Sequence, residues 1–153
     1  MKSRSNANLC VVCTCGGHLY EAMKAISLYT GRRFFITDYS KRLESILQGQ
    51  KVYYVPDHNF RPFFLMKNII QTLIILIKER PDIVLSTGAS LSIPTCIWAK
   101  ILGKRLIYVE TGGNVYTPTQ TGRLLYRFAD DFLIQWPPLK KHFPKGIFGG
   151  PLI

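Results

Sequence analysis

Acidic side chains are scarce in this chain of 153 residues: 9 Asp and Glu stand against 20 Lys and Arg, which gives a formal net charge of +11. Such an excess of positive charge favours a polyanionic partner, namely a nucleic acid, an anionic lipid or a phosphorylated substrate. The basic residues are spread over many segments, and the sequence contains no recognition-helix pattern and no aromatic-basic RNA motif. We therefore expect no nucleic-acid partner.

Three well-known active-site signatures are also missing. Neither G-x-G-x-x-G nor G-x-x-x-x-G-K-[ST] occurs, which removes the main support for dinucleotide binding and for P-loop hydrolysis. The pattern G-x-S-x-G is absent as well, so the nucleophile elbow of α/β-hydrolases is excluded.

Cysteines are few, and their spacing does not favour a metal site. Cys10 and Cys13 form a C-x-x-C, but on a strand two residues three apart face opposite sides of the sheet. No second cysteine pair follows, and the histidines are scattered, so we predict no metal site. The polar start of the chain predicts no secretory signal, and reduced thiols of a cytosolic compartment are expected.

Short apolar runs alternate with helical patterns along the whole chain. Such alternation predicts right-handed crossovers and a parallel sheet covered on both faces, a Rossmann-like doubly wound α/β fold formed by residues 1–153 as one domain. The predicted strands are 8–14, 33–37, 51–55, 83–86, 105–109, 131–135 and 146–148. The predicted helices are 19–29, 41–47, 62–79, 91–102, 122–128 and a short one at 139–142.

Small and polar residues follow four of these strands, at 15–18, 86–90, 110–114 and 135–137. Ligands of open α/β sheets bind beyond the carboxyl ends of the strands, so three glycine-containing loops are expected to converge at one edge. His18 closes the first loop, and an imidazole titrates in the range suited to taking a proton near neutral pH.

The predicted helix at 62–79 is apolar around most of its circumference. It is too short and too interrupted to span a bilayer. One interpretation is a core helix between the sheet and a neighbouring helix. The other is a surface that meets the membrane interface, with contact through Phe60, Arg61, Phe63 and Phe64, because aromatic and basic residues together suit that location.

Six motifs in order carry a resemblance to a known family that covers essentially the whole chain. The chain resembles the PssD/CpsF-type subunit of bacterial two-subunit polysaccharide glycosyltransferases. Its eukaryotic counterpart is the membrane-anchored subunit of the dolichol-pathway N-acetylglucosaminyltransferase, and it is similar to the N-terminal half of GT-B enzymes such as MurG. The motifs are C-G-G-H-L-Y-E at 15–21, S-T-G-A-S-L-S-I-P at 86–94, G-K-R-L-I-Y-V-E at 103–110, T-G-R-L-L-Y at 121–126, A-D-D-F-L-I-Q-W at 129–136 and G-G-P-L at 149–152.

The resemblance implies an acceptor-binding, membrane-associating subunit of an inverting glycosyltransferase that uses a UDP-sugar and needs no metal or other cofactor. The acceptor would be a polyprenyl-diphosphate-linked saccharide of exopolysaccharide or capsule biosynthesis, at the cytoplasmic face of the inner membrane. A separate donor-binding subunit would be the partner. The alternative is a non-catalytic membrane scaffold that recruits and activates a partner glycosyltransferase.

The resemblance also implies site residues. His18 is the expected base for the acceptor hydroxyl or a group that orients the donor diphosphate, and Glu110 is the alternative base. For His18, a helix N-terminal residue bonded to backbone remains open; for Ser86, a serine-capped turn; for Glu110, pairing with a nearby Arg. The residues expected to bind substrate are Gly16, Gly17, Ser86, Thr87, Gly88, Thr111, Gly112 and Asn114.

Overall fold

Seven parallel strands form one sheet in the computed structural model, which describes residues 7–152. The spatial order is β3-β2-β1-β4-β5-β6-β7, so the chain runs outward from β1 in one direction and from β4 in the other. The two directions meet between β1 and β4, which is the switch point where doubly wound sheets bind ligands. The predicted fold class is confirmed. The strands are β1 (Leu9–Val12), β2 (Arg33–Thr37), β3 (Lys51–Tyr54), β4 (Ile83–Ser86), β5 (Arg105–Val109), β6 (Asp131–Ile134) and β7 (Ile147–Phe148).

Five α-helices connect these strands within the described range: α1 (Gly17–Ala25), α2 (Lys41–Ile46), α3 (Pro62–Glu79), α4 (Ile93–Ile101) and α5 (Gln120–Leu125). The predicted helix at 91–102 is in fact a 3-10 turn, Ser90–Ser92, followed by α4, and the predicted helix at 139–142 is a 3-10 turn, Pro137–Lys141. Pro94 explains the later start of α4, because proline lacks an N–H and is accommodated in the first turn of a helix.

The core is divided between the two faces of the sheet. Helices α3, α4 and α5 pack on one face, and α1 and α2 on the other. Cys10 lies on the face covered by α3, α4 and α5, and Cys13 lies on the face covered by α1 and α2. The prediction that these two thiols cannot meet is therefore confirmed.

Helix α3 buries two polar side chains on the same side as the apolar Ile75 and Leu76. Asn68 and Thr72 are fully buried. The Asn68 amide donates to the carbonyl oxygens of Pro56 (3.0 Å) and Leu91 (3.3 Å), which satisfies two backbone acceptors of the adjoining loops. The opposite side of the helix, here called the α3 apolar face, is between 51 and 75 % exposed at every position. It consists of Phe63, Met66, Ile70, Ile74 and Ile77.

The interpretation of α3 as a core helix holds for one side, because Ile75 and Leu76 lie in the core with residues of α4. It does not hold for the α3 apolar face, which the fold leaves exposed. Asn68 is buried because its amide satisfies carbonyl groups of two adjoining loops. The indole of Trp98 also contacts the helix and donates to the Ile69 carbonyl oxygen at 3.0 Å.

Candidate active site

The turns after β1 and β4 are clasped together at the switch point. Nδ1 of His18 donates to the carbonyl oxygen of Thr87 at 2.7 Å, and Oγ1 of Thr87 donates to the carbonyl oxygen of His18, also at 2.7 Å. The predicted convergence of these loops is confirmed, and the imidazole is bonded to backbone as the alternative prediction for His18 described. Because a carbonyl oxygen only accepts, Nδ1 carries a proton and Nε2 is left to receive one.

Glu21 lies one helical turn after His18 and on the same side of α1. Its Oε2 is 3.6 Å from Nδ1 of His18, and the pair raises the pKa of His18 above its usual value of 6.5, against burial, which lowers it. Burial alone would raise the pKa of Glu21, but His18, the Gly112 N–H and Gln135 together hold it below its usual value. Glu21 is therefore ionised when His18 begins to take up a proton.

The Glu21 carboxylate also gathers the loops after β5 and β6. Its Oε1 accepts from the backbone N–H of Gly112 (2.6 Å), from Nε2 of Gln135 (3.0 Å) and from Oγ1 of Thr111 (3.3 Å). Only 2 % of the residue is exposed. Glu21 was missing from the predicted site, although it stands in the C-G-G-H-L-Y-E motif three residues after His18, the spacing that places two side chains on one helix face.

Glu110, the other predicted base, is fully buried at the end of β5. Its Oε1 accepts from the N–H of Thr119 at 3.1 Å, and within residues 7–152 its Oε2 has no hydrogen-bond partner. Burial raises the pKa of Glu110, and the contacts with Thr119 only partly offset this. The alternative of an ion pair with an arginine does not occur in the described part of the chain.

Ser86 and Thr87, expected to bind substrate, are both buried. Oγ of Ser86 accepts from the N–H of Gly88 at 3.2 Å, and Thr87 is engaged with His18. Their hydroxyls thus build the turn, but neither caps the following helix, as the serine-capped alternative would require. Gly88 has a φ of +114°, and a Cβ there would lie 3.1 Å from Cε1 of His18, so a side chain would force the histidine ring to shift by a few tenths of an ångström.

The remaining predicted binding residues lie in two loops. Gly16 has a φ of +94°, and neither it nor Gly17 has a neighbour within 4 Å of a built Cβ, so the start of α1 is open. A mostly apolar cavity of about 740 Å³ adjoins Gly16 and is lined on its far side by Arg42. In the other loop, Gly112 is buried and Asn114 is partly exposed.

No group of three His, Cys, Asp or Glu side chains among the described residues is arranged to hold a metal ion.

The predicted membrane-contact residues lie at the entry to α3. Phe60 and Phe63 are strongly exposed, and the guanidinium of Arg61 lies 4.7 Å from the centre of the Phe64 ring. His58 holds the preceding turn, because its Nδ1 accepts from the Phe60 N–H at 3.0 Å while its Nε2 donates to the carbonyl oxygen of Ser90 at 2.9 Å. Between residues 7 and 152, none of the helices has both the length and the apolar character needed to cross a bilayer.

The fold is similar to that of domains in two solved enzyme structures. MurG from Acinetobacter baumannii superposes with a TM-score of 0.72 at 17 % identity, over 86 % of this chain and 42 % of that one. UDP-N-acetylglucosamine 2-epimerase from Rickettsia bellii gives 0.76 at 14 % identity, over 96 % of this chain and 45 % of that one. At this identity the likeness defines the architecture, a Rossmann-like domain of the kind that forms part of larger enzymes.

The chain belongs to the family described as oligosaccharide biosynthesis protein Alg14 like, whose profile matches residues 59–152. The UDP-N-acetylglucosamine transferase subunit ALG14 of Homo sapiens is 35 % identical over 82 residues, which are 50 % of this chain and 38 % of the human protein. The Mus musculus protein of the same name is 24 % identical over 184 aligned positions, covering 98 % of this chain and 85 % of the mouse protein. The match thus covers well under half of the human relative's length.

Proposed function

We propose that the chain is the acceptor-binding, membrane-associating subunit of a glycosyltransferase that moves N-acetylglucosamine from its UDP conjugate to a polyprenyl-diphosphate-linked saccharide. The observation that carries the proposal is the ionised Glu21 beside a histidine whose Nε2 is left to accept a proton, at the switch point of the sheet. The Alg14-like relatives, named as transferase subunits, support the same reaction class.

The reaction proposed is an inverting single displacement without a metal ion. The acceptor hydroxyl oxygen attacks the anomeric carbon of the sugar, its proton passes to Nε2 of His18, and the bond to UDP breaks with its electron pair leaving on the diphosphate. Free backbone N–H groups at the start of α1, beside Gly16 and Gly17, would offset phosphate charge. Glu110 is the alternative base; it is fully buried, and its Oε1 is engaged with the N–H of Thr119.

A separate donor-binding chain is the proposed partner. The sequence has none of the nucleotide motifs considered above, and the family relatives are named as subunits of a transferase. We place the pair, as the PssD/CpsF resemblance implies, in exopolysaccharide or capsule biosynthesis at the cytoplasmic face of the inner membrane. The α3 apolar face, with Phe60 and Arg61 at its end, would provide peripheral membrane attachment.

The test is reconstitution with the partner chain, UDP-N-acetylglucosamine and a polyprenyl-diphosphate saccharide. His18→Ala should lower kcat by about 10²–10⁴-fold, the usual contribution of a general base, while the variant still co-purifies with its partner. His142→Ala is the matched control, because His142 is exposed and follows a 3-10 turn near the other end of the chain. An unchanged kcat in the His18 variant removes it from the mechanism, and robust turnover by the chain alone contradicts the two-subunit arrangement.

A second candidate function, a non-catalytic membrane scaffold, is favoured by the α3 apolar face alone. In that case His18→Ala would leave turnover intact, whereas polar substitutions on that face would release the complex from membranes. The reconstitution above, performed with vesicles, separates the two.

A further inference from the structure

We propose that Glu21 is the positioning residue of this site: its carboxylate ties helix α1 to the loops after β5 and β6 and lies beside Nδ1 of His18, where it favours the charged ring that forms when Nε2 takes up the acceptor's proton. The identity of that proton rests on the function proposed above. The positioning itself rests only on the contacts of Glu21, His18 and the loops around them.

The two oxygens of Glu21 have different surroundings. Oε1 accepts three hydrogen bonds, from Gly112, Gln135 and Thr111. Oε2 is buried and has no hydrogen bond within residues 7–152. A buried carboxylate oxygen without a donor is unfavourable, and a positive charge on His18, whose Nδ1 lies 3.6 Å from Oε2, would offset this cost.

Nδ1 of His18 carries one proton whether the ring is neutral or charged, and that proton points to the carbonyl oxygen of Thr87. Once Nε2 is protonated, the positive charge spreads over both nitrogens and faces Oε2 of Glu21, which lies 3.6 Å from Nδ1. The carboxylate thus favours the state that His18 reaches after removing a proton.

Three titratable side chains face His18. Burial raises the pKa of Tyr108 far above its usual value of 10.0, so its hydroxyl, which lies beside Gly88 and His18, stays neutral. Burial also raises the pKa of Glu110, whereas hydrogen-bond donors and His18 outweigh burial at Glu21 and hold its pKa below the usual value. Glu21 raises the pKa of His18 more than Glu110 does, so the main electrostatic effect on His18 is assigned to Glu21.

The same carboxylate makes the position of His18 depend on distant parts of the chain. Gln135 donates to Glu21 through Nε2, and its Oε1 accepts from the backbone N–H of Leu152 at 2.7 Å. The loop at Gly112 is thus linked to His18 through Glu21, and the segment at Leu152 is linked to it through Gln135 and Glu21. A local pairing within α1 would not have this property.

The decisive experiment is a titration of His18 by ¹⁵N NMR in the full chain, comparing the wild type with Glu21→Gln. The variant keeps an acceptor oxygen for Gly112 and removes the charge. We expect the titration midpoint of His18 to fall by about one pH unit or more, since an adjacent opposite charge shifts a pKa by about that amount. A midpoint that stays with the wild type in the folded variant overturns the proposal.

Glu79→Gln is the matched control. Glu79 is also largely buried, with 8 % of its side chain exposed, and is paired with Lys51 at the far end of α3. The substitution should change the stability of the chain and leave the His18 midpoint where it is. Should Glu21→Gln not fold, Glu21→Asp keeps the charge but withdraws it from Nδ1 by one methylene. A lowered midpoint in that variant supports the proposal, and an unchanged one contradicts it.

Turnover in the reconstituted complex distinguishes failure of this inference from failure of the proposed function. We expect Glu21→Gln to lower kcat by about 10–100-fold, to leave KM for the acceptor nearly unchanged, and to move the acidic limb of the pH profile with the NMR midpoint. If His18→Ala is inactive while Glu21→Gln changes neither midpoint nor profile, the positioning role is wrong and the function stands. If the midpoint falls but His18→Ala retains full turnover, the positioning role stands and the proposed function is wrong.

Discussion

Oε2 of Glu110 occupies the space beside Gly122: a Cβ built on Gly122 would lie only 1.7 Å from that oxygen. The glycine lies inside α5, where it costs about 0.5–1 kcal/mol relative to alanine. Thr119 completes the arrangement, because its N–H donates to Glu110 while its Oγ1 accepts from the Gly122 N–H at 2.9 Å. The start of α5 and the buried carboxyl at the end of β5 are thus built around each other.

Gly122→Ala should therefore lower the free energy of unfolding, although alanine is the better helix former. The methyl group would displace Glu110 or α5, and overpacking of this kind costs about 1–3 kcal/mol. Urea denaturation followed by circular dichroism measures the loss. In Gly113→Ala the new Cβ would lie 3.6 Å from Thr111 Oγ1, an ordinary contact. If both variants are equally stable, α5 is not anchored at Glu110.

Gly88→Ala is expected to lower both stability and kcat, because it combines backbone strain with a close contact to His18. Alanine at a φ of +114° is strained, and its Cβ would also lie 3.1 Å from the His18 ring. The ring would have to move by a few tenths of an ångström, which is less than the displacement of about 1 Å that can cost about 10²-fold in rate, so kcat in the reconstituted complex should fall by less than that factor. Gly49, with a φ of +77° and no neighbour within 4 Å of a built Cβ, provides the control. Gly49→Ala should lose stability and retain kcat; equal losses of kcat would argue against displacement of His18.

Membrane binding should depend on the α3 apolar face. Ile70→Gln with Ile74→Gln removes two exposed apolar side chains, and each is expected to weaken binding by about tenfold, the equivalent of about 1.4 kcal/mol. Sedimentation with liposomes measures this, and the unfolding free energy should stay within about 0.5 kcal/mol of the wild type. Thr72→Val, on the buried side of the same helix, is expected to keep liposome binding. Liposome affinity unaffected by the double substitution would exclude this face as the attachment surface.

Acid should remove the stabilisation that Glu79 provides. Burial alone would raise the pKa of Glu79, but Lys51 and Tyr53 hold it below the usual 4.5. A carboxyl whose pKa is lower in the folded state than in the unfolded state stabilises the fold above the unfolded value, and the effect disappears as the pH falls through the folded value. Glu79→Gln should therefore be less stable than the wild type by about 1 kcal/mol at pH 7, and the difference should shrink as the pH is lowered below 4.5, as measured by urea denaturation. A difference that persists unchanged at pH 3 would mean that the charge of Glu79 is not its source.

Local pattern was enough to predict the strands and the meeting of the loops at one edge, because apolar runs such as Cys10–Val12 bury themselves on both faces of a parallel sheet. The role of Glu21 was not predictable in this way. Its partners Gly112 and Gln135 are 91 and 114 residues away in the chain, and only the folded sheet brings them to α1. Hydrophobic periodicity left two interpretations of α3 open, because it could not show that Asn68 is buried where it satisfies the carbonyl groups of two loops.

Because α3 carries exposed apolar residues on one side and buried polar residues on the other, the two sides tolerate different substitutions. On most amphipathic helices, polar replacements are tolerated outside and conservative apolar ones inside. Here, the outer positions Ile70 and Ile74 are free to become polar without disturbing the fold, whereas an apolar replacement at Asn68 would strand two buried carbonyl groups. Selection on folding and selection on surface adhesion therefore act on separate residues of one helix, so the adhesive surface can diverge between related chains while the core remains as it is.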